Sequence, residues 1–281
     1  MTEAACLPAP LVSVVMTVYN GEPWTAEAVQ SILGQTFRDL ELIVVDDGST
    51  DSTADTLGRY RDHRLRIVRQ SRAGQTPALN RALQLSRAPL VARMDADDVA
   101  LPRRLERQAA FLDAHPEVGL LGTAGHEIGP TGGIVRTLTP PTDDPTLRRA
   151  LIRYNPLLHT SVMFRRALLE AVGDYDERLR VAQDYDLWLR MSRRTTLAAL
   201  PEPLVLRRLT PGQLSSTGDT TRIRDEVVVK LRALRSGAHP AWAAVFLVKP
   251  LCALALPFGL RRRLRRALLR ADRPGAMPPR P

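Results

Sequence analysis

The chain has 281 residues, 44% of them hydrophobic, which is enough for one large domain with a buried core and a further extension. Residues 1–217 contain 26 arginines and 26 acidic residues, whereas residues 218–281 contain 14 basic and four acidic residues, so the formal net charge of +10 belongs to the C-terminal part. A neutral main domain lacks the basic surface of a nucleic-acid-binding protein, and we expect no nucleic-acid partner.

Four apolar segments predict the strands of a parallel sheet. Residues 11–18 and 40–45 are almost continuously apolar and rich in β-branched side chains, as in central strands that are covered on both faces. Residues 65–68 and 90–94 predict two further strands. Helical spacing of apolar residues separates the strands, for example at 76–85. This alternation predicts an α/β fold with a doubly wound, mainly parallel sheet.

Polar residues follow three of these strands, at the edge where such sheets bind ligands. They are Thr17, Tyr19 and Asn20 after the first strand, Asp46 and Asp47 after the second, and Asp95, Asp97 and Asp98 after the fourth. The last segment places three carboxylates in four residues, and in the adjacent sequence only Arg93 neutralises them. A divalent cation such as Mg²⁺ or Mn²⁺ would resolve the repulsion. The alternative is an acidic turn that caps the next helix.

The sequence has no Gly-x-Gly-x-x-Gly segment after the first strand and no Gly-x-x-x-x-Gly-Lys loop, which argues against a dinucleotide-binding fold and a P-loop. Other motifs occur in order: Val-Tyr-Asn-Gly at 18–21, Val-Asp-Asp-Gly-Ser-Thr-Asp at 45–51, Arg-Met-Asp-Ala-Asp-Asp at 93–98, Asn-Pro-Leu-Leu-His-Thr-Ser at 155–161, Gly-Asp-Tyr-Asp at 173–176 and Gln-Asp-Tyr-Asp at 183–186. Through these motifs the first three quarters of the chain resemble family 2 glycosyltransferases with the GT-A fold, in particular those of bacterial cell-surface polysaccharides.

The resemblance assigns roles to the polar strand ends. It implies that the nucleotide of the donor contacts six residues: Thr17, Tyr19, Asn20, Glu22, Asp47 and Asp95. It implies that Asp97 binds a Mn²⁺ or Mg²⁺ cofactor, with support from Asp98, Arg93, His159 and Arg208. Arg208 either balances phosphate charge or is a solvated surface arginine. Thr210 stands where relatives commonly have the histidine of an Arg-x-His pattern, and its hydroxyl is a poor ligand unless another oxygen completes the shell.

The resemblance implies that Asp184 is the catalytic base, with capping of the following helix as the alternative. Relatives usually have a glutamate before this aspartate, but this chain has Gln183. With one acid fewer nearby, we expect the pKa of Asp184 to be raised less than in a paired site, so that Asp184 is ionised near neutral pH. We expect Trp188 to pack in the core, and residues 123–145 to form loops or a short hairpin over the site.

The implied reaction is the inverting transfer of a sugar from a nucleotide-diphosphate donor to a hydroxyl of a glycan or lipid-linked acceptor, in cell-surface polysaccharide synthesis. A UDP-sugar is the favoured donor. Two alternatives remain open. A nucleotidyltransferase would need a Gly-rich basic loop after the first strand, and a non-catalytic, membrane-associated scaffold would bind nucleotide sugars without transfer.

Residues 218–281 predict a helical, basic extension that follows a catalytic domain at 1–217. Residues 221–234 have the spacing of an amphipathic helix, with Val227, Val228, Leu231 and Leu234 on one face. The apolar segment 242–260 is interrupted by Lys249 and Pro250, which leaves two pieces that are each too short to span a membrane.

The arginine cluster at 261–266 favours binding of this extension to an anionic membrane surface, before a Pro-rich end that we expect to be disordered. Packing of the apolar pieces on the main domain or on a second subunit is the alternative. No signal peptide is visible, and Cys6 and Cys252 match no metal or redox spacing. We therefore expect a cytoplasmic protein that is peripheral at the inner face of the cell membrane.

Overall fold

The computed structural model describes residues 9–210, 220–237 and 239–255. The strands are β1 (Val12–Val18), β2 (Leu40–Asp46), β3 (Leu65–Arg69), β4 (Leu90–Asp95), β5 (Val99–Ala100), β6 (Val118–Ile128), β7 (Ile134–Leu138), β8 (Met163–Arg165) and β9 (Thr196–Arg208). The α-helices are α1 (Thr25–Leu33), α2 (Thr53–Gly58), α3 (Gln75–Leu85), α4 (Arg104–Ala114), α5 (Asp144–Arg153), α6 (Leu168–Val172), α7 (Gln183–Met191), α8 (Thr220–Arg235) and α9 (Val245–Ala255). Short 3₁₀ helices occupy His159–Ser161 and Ala241–Ala244.

The strands of the described residues form one mixed sheet in the order β3-β2-β1-β4-β8-β6-β9-β5, and β7 pairs with β6. β1 lies between β2 and β4 and is parallel to both, and β3 is parallel to β2. β8 joins this half to the other by antiparallel pairing with β4 and β6. The four parallel strands are those that the apolar runs predict, so the predicted α/β fold with its mainly parallel sheet is confirmed.

Hydrophobic cores lie on both faces of the sheet, as a doubly wound sheet requires. Val14 and Met16 of β1 belong to the core that α1 and α4 cover, whereas the intervening Val15 belongs to the core that α3 and α7 cover. Successive side chains of a strand point to opposite faces, so a strand buried on both faces must be apolar throughout. Trp188 of α7 is fully buried in the second core, as predicted.

The sequence predicts loops or a short hairpin at 123–145, and the hairpin is confirmed by the pairing of β6 with β7. The structure adds that β6 begins earlier, at Val118, and pairs with β9 along its length. Two glycines of β6 permit close packing of side chains against the strand. A Cβ atom on Gly122 would lie 2.6 Å from Leu157 Cδ2, and one on Gly125 would lie 2.7 Å from Val205 Cγ2.

The predicted helix at 221–234 is confirmed as α8, but its buried face differs from the prediction. Val227, Val229 and Ala233 are buried, and Val229 and Ala233 extend the second core, whereas Leu231 is exposed. The face of α8 that is buried is therefore determined by the surface on which the helix packs, and not by the positions of its largest apolar side chains.

The predicted interruption at Lys249 and Pro250 is wrong, because α9 continues through both residues. α9 packs against α8 and buries Leu247 and Pro250. No helix within the described ranges combines the length and the apolar character that crossing a membrane requires. The predicted domain boundary at 217/218 and the arginine cluster at 261–266 lie outside the described residues.

Candidate active site

Parallel pairing brings the three polar strand ends side by side. Thr17 of β1 is in register with Val45 of β2 and with Asp95 of β4, so the residues that follow these strands emerge at the same edge of the sheet. A cavity of about 300 Å³ opens at this edge. Its lining residues are Gln75, Asp95, Asp97, Asp98, Leu158, His159, Thr160, Arg180, Val181, Ala182, Gln183, Asp184 and Arg207.

The cavity brings together five of the predicted site residues: Asp95, Asp97, Asp98, His159 and Asp184. The acidic turn after β4 and the first turn of α7 thus face the same space, although they are far apart in the chain. The other predicted site residues lie outside its lining: Thr17, Tyr19, Asn20, Glu22, Asp47, Arg93 and Arg208.

The repulsion within the acidic turn is reduced by the protein itself. Arg93 is fully buried and its Nη2 donates a hydrogen bond to Asp95. Burial raises the pKa of Asp95, but the charge and hydrogen bond of Arg93, together with weaker contributions from His159 and Arg207, outweigh it, so the pKa lies below its ordinary value. Asp98 is 2% exposed, and burial together with the charges of Asp95 and Asp97 raises its pKa well above the usual range. The turn therefore favours an ionised Asp95 beside a neutral Asp98.

Asp97 provides the best-placed oxygen for a metal ion. It lines the cavity, and Thr210 Oγ1 lies 3.4 Å from its Oδ2. Within the described ranges, no three or more His, Cys, Asp or Glu side chains are grouped to hold a metal ion by themselves. Carboxylate and hydroxyl oxygens nevertheless fit a hard ion such as Mg²⁺, which is often held by one or two carboxylates and completes its shell with substrate phosphates and water.

Asp184 is held in a fixed orientation inside the first turn of α7. Asn155 Nδ2 donates to its Oδ2 at 2.8 Å, and the Tyr185 N–H donates to its Oδ1 at 2.8 Å. The N-cap residue of α7 is Ala182, so Asp184 does not occupy the capping position that was the alternative to its role as a base. Burial is the main factor that raises the pKa of Asp184, and the Asp95 charge adds to it. A carboxylate with a raised pKa is a stronger proton acceptor than an ordinary aspartate.

Gln183 has an unused hydrogen-bonding group in the cavity. Its side chain is 6% exposed, and its Nε2 lies 3.4 Å from Gln75 Oε1. Its Oε1 is buried, with no hydrogen-bond partner in the described part of the chain. Buried polar atoms without partners are costly, so this oxygen is suited to accept a hydrogen bond from a ligand hydroxyl.

His159 is a neutral group on the cavity wall. Burial and the nearby Arg93 charge lower its pKa to about 3. Its Nε2 lies 3.0 Å from Tyr175 Oη, and its ring meets Trp188 edge-on with centroids 6.1 Å apart. A group with so low a pKa is a weak base, so the geometry favours Asp184 over His159 as the proton acceptor.

Arg208 supports the acidic turn from outside the cavity. It is 3% exposed, which excludes a solvated surface arginine, and its Nε donates to the Asp97 carbonyl at 3.0 Å. Its Nη2 also donates to Glu27 Oε2 at 2.6 Å, and its guanidinium lies 4.0 Å from the Trp24 ring centroid. Arg207 lines the cavity instead, because neighbouring residues of a strand face opposite sides.

Two of the predicted nucleotide contacts organise loops next to the cavity. Asp47 accepts hydrogen bonds from Gln70 Nε2 and from the N–H groups of Ala73 and Gly74, each at 2.8 Å. The guanidinium of Arg72, in the same loop, lies 3.2 Å from the ring centroid of Tyr19, which is 40% exposed. Asp47 and Tyr19 thus contact the loop of residues 70–74, which leads into Gln75 of the cavity lining.

The loops after β1 and β2 are tied to each other. The Asn20 N–H donates to Ser49 Oγ at 3.0 Å, and its Oδ1 accepts from the Thr50 N–H at 2.8 Å. The Glu22 N–H donates to Asp51 at 3.3 Å, and Glu22 Oε1 is buried without a partner among the described residues. Thr17 is 8% exposed at the end of β1. The hydrogen bonds of Asn20 therefore join the loop after β1 to the loop after β2.

Sequence reasoning missed several residues of the site. Arg207 could have been predicted from the alternation of side chains along β9. Arg180 could have been predicted because it lies three residues before Gln183. The long-range contacts of Arg72, Gln75 and Thr160 give no signal in the local sequence. Arg180 and Arg207 add positive charge to the cavity lining, Gln75 and Thr160 add polar groups, and Arg72 lies outside the lining.

The fold and the site together define an α/β protein of the glycosyltransferase type, with acidic residues at the ends of parallel strands. Residues 13–173 match the family model described as "Glycosyl transferase family 2". The chain is 30% identical to the putative glycosyltransferase EpsE of Bacillus subtilis, over 90% of this chain and 92% of EpsE. The chain belongs to glycosyl transferase family 2.

A second relative and two solved structures agree with this assignment. The amylovoran biosynthesis glycosyltransferase AmsE of Erwinia amylovora is 31% identical over 76% of this chain and 82% of AmsE. S. aureus TarS 1-349 in complex with UDP-GlcNAc superimposes with a TM-score of 0.72, at 22% identity, over 92% of this chain and 79% of TarS. The mannosyltransferase PcManGT of Pyrobaculum calidifontis, in complex with GDP-Man and Mn²⁺, gives a TM-score of 0.62 at 22% identity over 95% and 81%. The predicted GT-A fold is confirmed.

The pKa of Asp184 should respond to the charge of its neighbour. A Gln183→Glu variant adds a carboxylate, which raises the pKa of Asp184 further because two negative charges repel. A base must be deprotonated to act, so the acidic limb of the pH profile of kcat/KM should move upwards by about one unit. A Gln183→Met variant adds no charge and should leave the limb in place. An unmoved limb in the glutamate variant would mean that the titrating group lies elsewhere.

Proposed function

We propose that this protein is a metal-dependent, inverting glycosyltransferase that moves a sugar from a nucleotide-diphosphate donor to a hydroxyl of a glycan or lipid-linked acceptor. One observation carries the proposal: Asp97 and Asp184 line the same cavity, at the edge of the sheet where ligands bind in this fold. An oxygen ligand for a metal and a candidate base are the two groups that such a transfer needs.

Asp184 acts on the acceptor. Its carboxylate takes the proton of the acceptor hydroxyl while the hydroxyl oxygen bonds to the anomeric carbon. The bond from that carbon to the diphosphate oxygen breaks on the opposite face, and its electron pair leaves with the diphosphate, so the configuration inverts. The hydrogen bond from Asn155 holds Asp184 in place for this step. General-base catalysis contributes about 10²–10⁴-fold, so positioning and charge stabilisation must supply the rest.

Asp97, with the Thr210 hydroxyl beside it, would hold a Mn²⁺ or Mg²⁺ ion together with the donor diphosphate. The bound ion would supply Lewis-acid stabilisation of the negative charge on the leaving diphosphate. Arg207 lines the same cavity and adds positive charge on this side. Asp95, kept ionised by Arg93, hydrogen-bonds a donor hydroxyl.

The donor nucleotide lies towards the loop of Arg72, where Tyr19 offers a ring face at the mouth of the cavity. Thr17, Asn20, Glu22 and Asp47 complete this side, and a UDP-sugar is the favoured donor, in line with the UDP-GlcNAc complex of TarS. With the nucleotide on that side, Gln183 Oε1, which has no partner among the described residues, and His159 face the sugar or the acceptor. Cell-surface polysaccharide synthesis is the favoured process, as the name of AmsE suggests.

The C-terminal part supports a peripheral position on an anionic membrane at the cytoplasmic face. Trp242, Val245, Val248 and Leu251 recur every three residues and are between 48% and 61% exposed, so they form one apolar stripe. The arginine cluster at 261–266 follows this stripe in sequence. An apolar stripe followed by clustered positive charge suits a surface of anionic lipid headgroups.

Substitution of the two central aspartates separates their roles. With purified protein, a panel of nucleotide sugars and Mn²⁺, Asp184→Asn should lower kcat by about 10²–10⁴-fold because the base is lost. UDP binding by calorimetry should be unchanged in this variant. Asp97→Asn should lower turnover as well, and should also weaken Mn²⁺-dependent UDP binding because an oxygen ligand is lost.

Asp113→Asn serves as the matched control, because Asp113 is an exposed aspartate of α4. Thermal unfolding should be similar in all three variants. Unchanged turnover in Asp184→Asn would remove its role as base. Nucleotide-sugar binding without any transfer by the wild-type protein would favour the non-catalytic scaffold.

Membrane binding has its own test. Val248→Glu places a charge on the apolar stripe and should weaken sedimentation with phosphatidylglycerol vesicles by about tenfold, because apolar burial at the interface is lost. Ile134→Glu changes an equally exposed residue on the β6–β7 hairpin and should have no effect. Equal binding of wild type and Val248→Glu, or a dimer that only Val248→Glu dissociates, would contradict the membrane assignment.

A further inference from the structure

A carboxylate of helix α8 binds the turn that precedes α7. Asp225 of α8 is 7% exposed, and its Oδ2 accepts hydrogen bonds from the N–H groups of Arg180 and Val181, each at 3.0 Å. Bonds from two amides to one charged oxygen are stronger than those to a neutral acceptor. The helix is therefore joined to this turn by a charged clamp rather than by apolar contact alone.

The clamped turn belongs to the wall of the cavity. Arg180, Val181 and Ala182 line the cavity and lead directly into Gln183 and Asp184. Any shift of the turn therefore moves the start of α7, where the candidate base lies.

This turn has a strained conformation that needs outside support. Ala182 has φ +62°, in the left-handed region that non-glycine residues rarely adopt, and as the N-cap residue of α7 it provides no side-chain capping hydrogen bond. On the other side of the turn, Thr76 of α3 donates to the Leu179 carbonyl at 3.1 Å. Asp225 of α8 and Thr76 of α3 thus both hold the segment 179–181, and neither residue lines the cavity.

We propose that Asp225 is a positioning residue, which fixes the 180–182 turn so that Asp184 meets the acceptor hydroxyl in the correct geometry. The proposal rests on the proposed function, in which Asp184 is the base. In this proposal the C-terminal helical part, through Asp225 of α8, completes the acceptor side of the site. Because Asp225 bonds to the turn that leads into Asp184, we expect its loss to slow the transfer step and to change donor binding little.

The test compares Asp225→Ala with Asp225→Asn in the full chain. In Asp225→Ala, hydrogen–deuterium exchange of the Arg180 and Val181 amides should become roughly tenfold faster, because both lose their acceptor. With the nucleotide sugar that gives the highest turnover, kcat should fall roughly 10- to 100-fold, while KM for the donor changes little. Asp225→Asn keeps an acceptor oxygen and should recover most of both properties.

Glu226→Gln is the matched control, since Glu226 is the next residue of α8 and pairs with Lys230 of the same helix at 2.7 Å. It should leave exchange at the turn and kcat unchanged. An unchanged kcat or unchanged exchange in Asp225→Ala would overturn the proposal, as would an equal loss of kcat in Glu226→Gln. If Asp184→Asn retains full turnover while Asp225→Ala still speeds exchange at the turn, the role of Asp184 as the base is contradicted, whereas the role of Asp225 in holding the turn is not.

Discussion

A buried positive charge acts on three titratable groups of the cavity. Arg93 lies fully buried on β4 and donates to Asp95, while its Nε and Nη1 have no hydrogen-bond partner among the described residues. Its charge helps to keep Asp95 ionised, lowers the pKa of His159 and opposes the rise in the pKa of Asp184. Four acids and a histidine line this small space, and a positive charge among them separates their protonation equilibria. The proposed function needs this separation, because it requires one acid as a metal ligand and another as a proton acceptor.

The apolar runs were sufficient to predict β1 to β4 and the edge at which the acids meet, because parallel strands covered on both faces leave a continuous hydrophobic signal. The same reasoning found the β6–β7 hairpin but missed the long pairing of β6 with β9, in which Gly122 and Gly125 allow neighbouring side chains to approach the strand closely. It also failed at Pro250, which α9 accommodates within the helix.

The site was predictable only as far as local motifs reach. Asp97 and Asp184 were found because each lies in a motif, and the cavity contains both. The contacts of Asp225 with Arg180 and Val181 join distant parts of the chain through backbone amides, which have no side-chain signature. The hydrogen bonds that Asp47 accepts from the loop of residues 70–74, and the position of Arg207 in the cavity lining, are likewise known only from the structure. The acids are therefore evident from sequence, whereas the groups that orient them are not.

The central claim is that the acceptor is activated by Asp184 on the face opposite the leaving diphosphate. The most direct measurement is the anomeric configuration of the first product formed, by proton NMR, from an α-linked nucleotide sugar. The account predicts a β-linked product, since a single displacement inverts the anomeric carbon. An α-linked product would require a different arrangement of nucleophile and leaving group, and would contradict the assignment of Asp184 as the base.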